Sequence, residues 1–183
     1  MANALLAAGI GKGSHVAMMM ENSPEQILAY FALAKLGAVC VPINTAARGT
    51  FLAYFLNQSD SVALLIDQSL LERFLEVADE TSICQIWVTE GATGAALPGT
   101  MAEHAFADLL AGSAANPPVE VSYRDLCALM YTSGTTGPSK GNMWAQLGLL
   151  TFSAYQAPRL EMDENSVYYA WGPLFHSAAY GGS

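Results

Sequence analysis

Tyr131-Thr132-Ser133-Gly134-Thr135-Thr136-Gly137-Pro138-Ser139-Lys140-Gly141 is the stretch from which the rest of the chain can be read. It follows an apolar run, Leu126–Tyr131, that reads as a strand, and it precedes a segment expected to be helical from Gly141 to about Ala157. Eight of the ten residues from Thr132 to Gly141 are Gly, Ser or Thr, and the single cation, Lys140, stands near the end. Such a composition can cradle an anion: glycines let backbone N–H groups approach a phosphate, hydroxyls add donors, and the lysine supplies charge. The same composition would also suit a solvated linker, but a linker has no reason to set a lysine after Thr-Thr-Gly between a strand and a helix. The G-x-x-x-x-G-K-[ST] phosphate loop does not fit, because Lys140 lies six residues after Gly134 and is followed by Gly141.

Outward from this loop, strands and helices alternate. Leu5–Ile10 reads as a helix end closed by Gly11-Lys12-Gly13, and Val16–Met20 as a strand. Ser23-Pro24-Glu25-Gln26 has the form of a capping box, with Pro24 at the first helical position and Gln26 reaching back. The helix that follows runs to Leu36, with Gly37 as its terminator, and is apolar almost all round, which predicts burial on more than one side. Val39–Val41 is a strand, Thr50–Gln58 a helix with Phe51, Leu52, Phe55 and Leu56 on one face, and Val62–Ile66 a strand covered on both faces. Ser69-Leu70-Leu71-Glu72 reads as a second capping box for a helix ending near Asp79. Ile83–Val88 is a strand, Thr89–Thr100 a loop, Met101–Leu110 a short helix, 113–119 a linker-like crossing, and Ser166–Trp171 a last strand. The alternation predicts an α/β fold: a doubly wound, mostly parallel sheet with helices on both faces.

Composition narrows the function. With 52% hydrophobic and 13% charged residues, the 183-residue chain can bury a substantial core, and disorder is excluded. So little charge implies apolar surface that faces further polypeptide. A net charge of −9 with only seven Lys and Arg argues against a nucleic-acid partner. The three cysteines, Cys40, Cys84 and Cys127, lack metal-ligand spacing and are expected as core thiols in a reducing, cytoplasmic setting. No signal peptide is read at the start. The longest apolar stretch, Ile27 to Ile43, is broken by Lys35 and Gly37, so no membrane span is expected.

The loop resembles the signature of the adenylate-forming, AMP-binding enzymes (acyl-CoA synthetases, firefly luciferase, peptide-synthetase adenylation domains), whose pattern is close to Y-T-S-G-T-T-G-x-P-K-G. Pro138 and Ser139 stand in swapped order. Three weaker stretches are similar to the same family: residues 9–17, where His15 is given no role, Asn22-Ser23-Pro24-Glu25, and Lys35-Leu36-Gly37-Ala38-Val39. All are explained as fold-building positions. Gly172-Pro173-Leu174-Phe175-His176 resembles the family's "P-x-F-H" segment, and His176 favours the acyl-CoA ligase branch. Ala145 and Gln146 stand where a "T-H" pair is common, and Met143 and Trp144 are expected to pack beneath the loop.

The resemblance implies an ATP-dependent acid–thiol ligase that uses ATP, Mg²⁺ and coenzyme A on a small carboxylic acid. Thr132, Ser133, Gly134, Thr135, Thr136 and Gly137 would hold the β- and γ-phosphates, and Lys140 would offset charge on departing pyrophosphate. Phe175 and His176 would form the wall between carboxylate substrate and nucleotide. No catalytic side chain and no metal ligand is assigned. The family's later motifs are not found, so residues 1–183 are expected to be an incomplete N-terminal AMP-binding domain, inactive alone and completed by the parent enzyme's remaining domains. Its first βα units would span 1–112, and the strand, loop, helix and strand 113–183. Two other readings stay open: an adenylation domain feeding a carrier protein, and a non-catalytic nucleotide-binding module.

Overall fold

The computed structural model describes residues 1–132, 138–167, 169 and 172–176, with backbone only at 149, 152 and 153. Helix α1 (Ala2–Ala7) leads to strand β1 (His15–Met19), then come α2 (Pro24–Leu36), β2 (Val39–Pro42), α3 (Gly49–Gln58) and β3 (Ala63–Ile66). The chain continues through α4 (Leu71–Leu75), β4 (Gln85–Val88), β5 (Ala102–Ala105) and α5 (Phe106–Leu110). The last elements among the described residues are β6 (Leu126–Thr132), β7 (Lys140–Ala145) and α6 (Gln146–Arg159). Seven strands form one sheet in the order β5-β4-β3-β1-β2-β6-β7. Every neighbouring pair is parallel except β6–β7, which is antiparallel. The doubly wound α/β architecture is as expected.

The continuous apolar runs follow from this topology, because a strand covered on both faces has no solvent side. In β1, Ala17 and Met19 join Leu52, Leu56 and Phe74 on one face, while Val16 and Met18 join Leu5, Leu33 and Leu109 on the other. Successive Cβ atoms point to opposite faces, so one strand feeds two cores. All four residues of β3 are fully buried, and each large one contributes about 1.5–3 kcal/mol by leaving water.

Helix α2 starts where its sequence predicts. Ser23 Oγ accepts from the Gln26 N–H at 3.2 Å, and Pro24 opens the first turn. The Gln26 side chain, however, donates to the Met20 carbonyl at 3.4 Å rather than closing the box. Gly37 ends the helix at φ 65, where a Cβ would also lie 3.1 Å from Lys12 Cγ and 3.3 Å from Val121 Cγ2. Burial on several sides is not found: Ala29, Ala32, Leu33 and Leu36 are buried, while Ile27, Leu28 and Phe31 are exposed.

Further expectations are corrected at the margins. The supposed box at Ser69 makes no capping bond; a 3₁₀ turn precedes a helix of only Leu71–Leu75, and a second 3₁₀ turn follows at Ala78–Glu80. Residues 102–105 form β5 instead of helix, because Ala102 to Ala105 find a ready ladder on β4. Gly141–Ala145 is strand rather than helix: β7 pairs with β6 from Thr132↔Lys140 to Leu126↔Ala145 and covers an open sheet edge. Gly141 permits this approach, since a Cβ there would stand 3.0 Å from Leu129. Of the last expected strand, 168, 170 and 171 lie outside the described residues, and 166, 167 and 169 are not strand. Cys40 and Cys127 are buried, but Cys84 is exposed. Met143 is largely exposed, whereas Trp144 packs against Cys127, Ala128 and Met130. No helix among the described residues is long and apolar enough to cross a membrane.

The crossing from α5 back to β6 is tied down by polar side chains. Asn3 donates to the carbonyls of Ser113 and Ala115, Lys35 to Asn116 Oδ1, and Lys12 pairs with Asp125 at 2.6 Å. This return delivers β6 beside β2, joining an early strand to a late one.

Candidate functional site

The site opens where β2 stops and β6 runs on. Val39 and Ile43 donate their N–H groups toward β1, to the carbonyls of Ser14 and Met18 at 2.8 Å each. The alternate residues Cys40 and Pro42 therefore face β6, and Pro42 has no N–H to give. Since Cys40 is level with Ala128, the β2–β6 ladder ends at Pro42 while β6 continues to Thr132. A cavity of about 240 Å³ lies at this carboxyl end, the side of a parallel α/β sheet on which ligands bind. It is lined by Pro42, Ile43 and Asn44 from the end of β2, Phe55 from α3, Tyr131 and Thr132 from β6, Ser139, and Phe175 and His176.

Two stretches singled out separately in the sequence thus meet in one cavity. Thr132 Oγ1 donates to the Lys140 carbonyl at 3.4 Å across the mouth of the hairpin. Lys140 itself is exposed, directly opposite Thr132 and next to the lining residue Ser139. Ser133, Gly134, Thr135, Thr136 and Gly137 lie outside the described residues. The loop bridges two antiparallel strands; the expected strand-to-helix junction is not found. Helix α6 begins only at Gln146, after β7.

Helix α3 holds both flanks of that hairpin. The Tyr131 hydroxyl donates to the Phe55 carbonyl at 3.2 Å and contacts Gln58 Oε1, and the two rings meet with centroids 4.6 Å apart. The Tyr54 hydroxyl donates to the Ser139 carbonyl at 2.8 Å. Burial first, then the neighbouring Tyr54 and Asp60, push the Tyr131 hydroxyl up to about 12 against the hydrogen bonding of Ser59. At neutral pH Tyr131 is therefore a donor and a rigid aromatic wall, with no capacity as a base. Burial likewise pushes the Cys127 thiol up to about 11, and its Sγ–H is directed at the Trp144 carbonyl, which makes it an inert core thiol.

The Phe175–His176 turn is held from the far side. The His176 N–H donates to the Pro173 carbonyl at 2.9 Å. Asn22 Nδ2 donates to the Gly172 carbonyl at 2.9 Å, and Asn22 Oδ1 accepts from the Leu174 N–H at 2.8 Å. Asn22, Tyr54, Asn44 and Phe55 were not among the residues expected at the site. A signal for Asn22 is present in the Asn-Ser-Pro-Glu stretch, and periodicity groups Phe55 with Phe51, Leu52 and Leu56 on one face of its helix, of which Leu52 and Leu56 are buried and Phe51 is exposed. No described lining residue is a carboxylate, so an anionic ligand meets no like charge there.

The family model described as AMP-binding enzyme matches residues 1–182. The chain belongs to the AMP-binding enzyme family. This AMP-binding chain is 31% identical over 186 residues to 4-hydroxybutyrate–CoA ligase 2 of Metallosphaera sedula, covering 98% of itself and 34% of that protein. It is 32% identical over 183 residues to the crotonobetaine/carnitine–CoA ligase of Salmonella heidelberg, covering 96% of itself and 34% of that protein. Among solved structures it is similar to a long-chain-fatty-acid-CoA ligase (FadD1) of Archaeoglobus fulgidus, with a TM-score of 0.87 at 27% identity. That superposition takes in 98% of this chain and 34% of the other. The chain spans about a third of the length of the curated relatives it matches.

Proposed function

We propose that this AMP-binding chain is the phosphate-gripping part of an ATP-dependent carboxylate–CoA ligase. A carboxylate oxygen attacks the α-phosphorus of ATP, the bond to the bridging α–β oxygen breaks, and pyrophosphate leaves. The thiol sulfur of coenzyme A then attacks the acyl carbon of the adenylate, and AMP leaves with the bonding pair. In such displacements a protein mainly positions the reactants and stabilises charge where it develops.

The observation that carries the reading is the meeting of the signature hairpin with the Phe175–His176 turn in one cavity at the carboxyl end of β2 and β6. Thr132 and, from the resemblance, Ser133, Gly134, Thr135, Thr136 and Gly137 would donate to the β- and γ-phosphates. Lys140 would offset charge on the leaving pyrophosphate. Phe55, Tyr131 and Phe175 give the cavity an apolar wall against which the acyl group could be held, and His176 would stand between that group and the nucleotide. Mg²⁺ would accompany the nucleotide as the counter-ion of its phosphates. The need for ATP and coenzyme A supports a cytoplasmic setting.

Support comes from CoA ligases acting on 4-hydroxybutyrate and on crotonobetaine or carnitine as similar proteins, which favours coenzyme A over a carrier protein as the thiol. Because the similarity takes in about a third of those enzymes, the isolated 183 residues are expected to complete neither step. The test is carboxylate-dependent exchange of pyrophosphate into ATP by the full-length protein, followed by thioester formation with coenzyme A. Exchange that needs amino acids, followed by transfer to a carrier protein in place of coenzyme A, would replace this reading with the carrier alternative. ATP binding without exchange for any carboxylate would leave a nucleotide-binding module.

A further inference from the structure

Residues 172–176 reach the cavity from a distant part of the chain, and their placement depends on Asn22. Asn22 follows β1 at the entrance to α2, and its side-chain amide spans the turn as a backbone peptide would, giving one hydrogen bond to Gly172 and taking one from Leu174. Leu174 immediately precedes Phe175, Gly172 stands two residues earlier, and Leu174 is itself buried. The two bonds set the height and angle of this segment over the carboxyl edge of the sheet. Asn22 does not line the cavity, which separates its role from contact with substrate.

The base carrying Asn22 is rigid. The Glu21 N–H donates to Asp67 Oδ2 at 2.7 Å, and Thr89 Oγ1 donates to Asp67 Oδ1 at 3.1 Å, so the ends of β1, β3 and β4 are bound together beneath Asn22. Ser23 is committed to capping α2. The amide thus stands on a fixed platform and reaches across to a segment without a strand partner. Hydrogen bonding by an amide is direction-specific: the donor must face a carbonyl and the acceptor an N–H, so the pair selects one register of the turn.

We propose that Asn22 is a positioning residue for the carboxylate substrate, acting through the Phe175–His176 turn. This deepens the ligase reading above and rests on it. A turn displaced by even about 1 Å misplaces the reacting group, so loss of the amide weakens use of the carboxylate and leaves use of ATP alone. Asn22 lies apart from the signature hairpin and its α3 supports, which is why the two substrates respond differently.

The test uses the full-length protein and Asn22→Ala, with Asn22→Asp as a second variant that keeps the acceptor for Leu174 but loses the donor to Gly172. For Asn22→Ala, KM for the carboxylate should rise about tenfold with KM for ATP unchanged, as the loss of two neutral hydrogen bonds predicts. The melting temperature should stay near that of the wild type, and Asn22→Asp should fall between. Hydrogen exchange gives a readout free of activity: the Leu174 amide should exchange faster in Asn22→Ala and keep protection in Asn22→Asp. Equal changes in both KM values, or unaltered kinetics despite faster exchange at Leu174, would overturn the positioning role. Wild-type protein that binds ATP yet shows no carboxylate-dependent exchange removes the ligase reading and the substrate half of the proposal with it. The exchange rate at Leu174 then still decides the anchoring half, and an unchanged rate there overturns it.

Discussion

Strands β5 to β2 and the β6–β7 hairpin share one sheet but are built differently. In the parallel part, Ala63–Ile66 is 0% exposed and flanked on both faces by apolar side chains. At the hairpin edge, β7 turns Met143 to solvent at 67% exposure, and the helix that follows exposes Leu147, Leu150 and Tyr155. The first region is held by area removed from water on both faces; in the second, β6 is buried as well, and β7 is held to it by ladder pairing, the Trp144 contact and one close glycine. The platform can therefore be stable without regard to ligand, while the edge presents the cavity. Loops and edges positioned by a rigid scaffold are where binding groups concentrate.

Breaking the platform should give the largest effect. Leu64→Ala, in the middle of β3, should lose about 2–5 kcal/mol of stability, whereas Leu150→Ala on α6 should stay within about 0.5 kcal/mol; urea unfolding of both variants measures the contrast. Equal losses would show that the edge is as firmly packed as the centre. Lys140→Ala should act the other way round, slowing adenylation about 100-fold, as for removal of a charge-stabilising donor, with no shift in melting temperature. Unchanged pyrophosphate exchange would take Lys140 out of the mechanism.

Gly141→Ala probes the seam between the two regions. The added Cβ would press on Leu129 at 3.0 Å, so a loss of about 1–3 kcal/mol is expected, together with weaker ATP binding in calorimetry. A stable variant with normal ATP affinity would mean that β7 can move away from β6 at no cost to the site. The smallest effect concerns pH and the far edge of the platform. Slight burial raises the Glu103 carboxyl, but hydrogen bonds from Thr93, Gly94 and Ala95 outweigh it and hold the group below its usual 4.5. Because the folded value is depressed, the carboxylate's grip on residues 93–95 is present above that usual value and is lost as pH falls through the lower, folded one. The protection of the Thr93 and Gly94 amides, measured against their intrinsic exchange rates, should therefore fall only in acid, with the hairpin amides unaffected; a loss of protection already at neutral pH would contradict it.

The sequence was most legible where local chemistry and tertiary position agree. Ser23, Pro24 and Gly37 delimit α2 because capping and φ > 0 are local demands. The apolar runs of β1, β2 and β3 are unambiguous because no solvent face dilutes them. It was least legible at β5 and β7. Ala102–Ala105 and Lys140–Ala145 have no strong strand pattern of their own, and a neighbouring edge supplies the hydrogen bonds that make them strands. At the site, Thr132, Phe175 and His176 were found from motifs and do converge. Asn22 and Tyr54 were not, since their partners lie 150 and 85 residues away in the chain.

By itself the sequence determined the α/β alternation and the limits of α2, and it pointed to anion binding by residues 131–141, all readings set by neighbours a few residues apart. Tertiary structure alone decided that the signature stretch lies in a hairpin, that Pro42 ends the β2–β6 ladder, and that Phe175 and His176 arrive beside it. Those outcomes depend on which backbone donors and acceptors find partners across the sheet, and a partner distant in the chain leaves no mark in local composition.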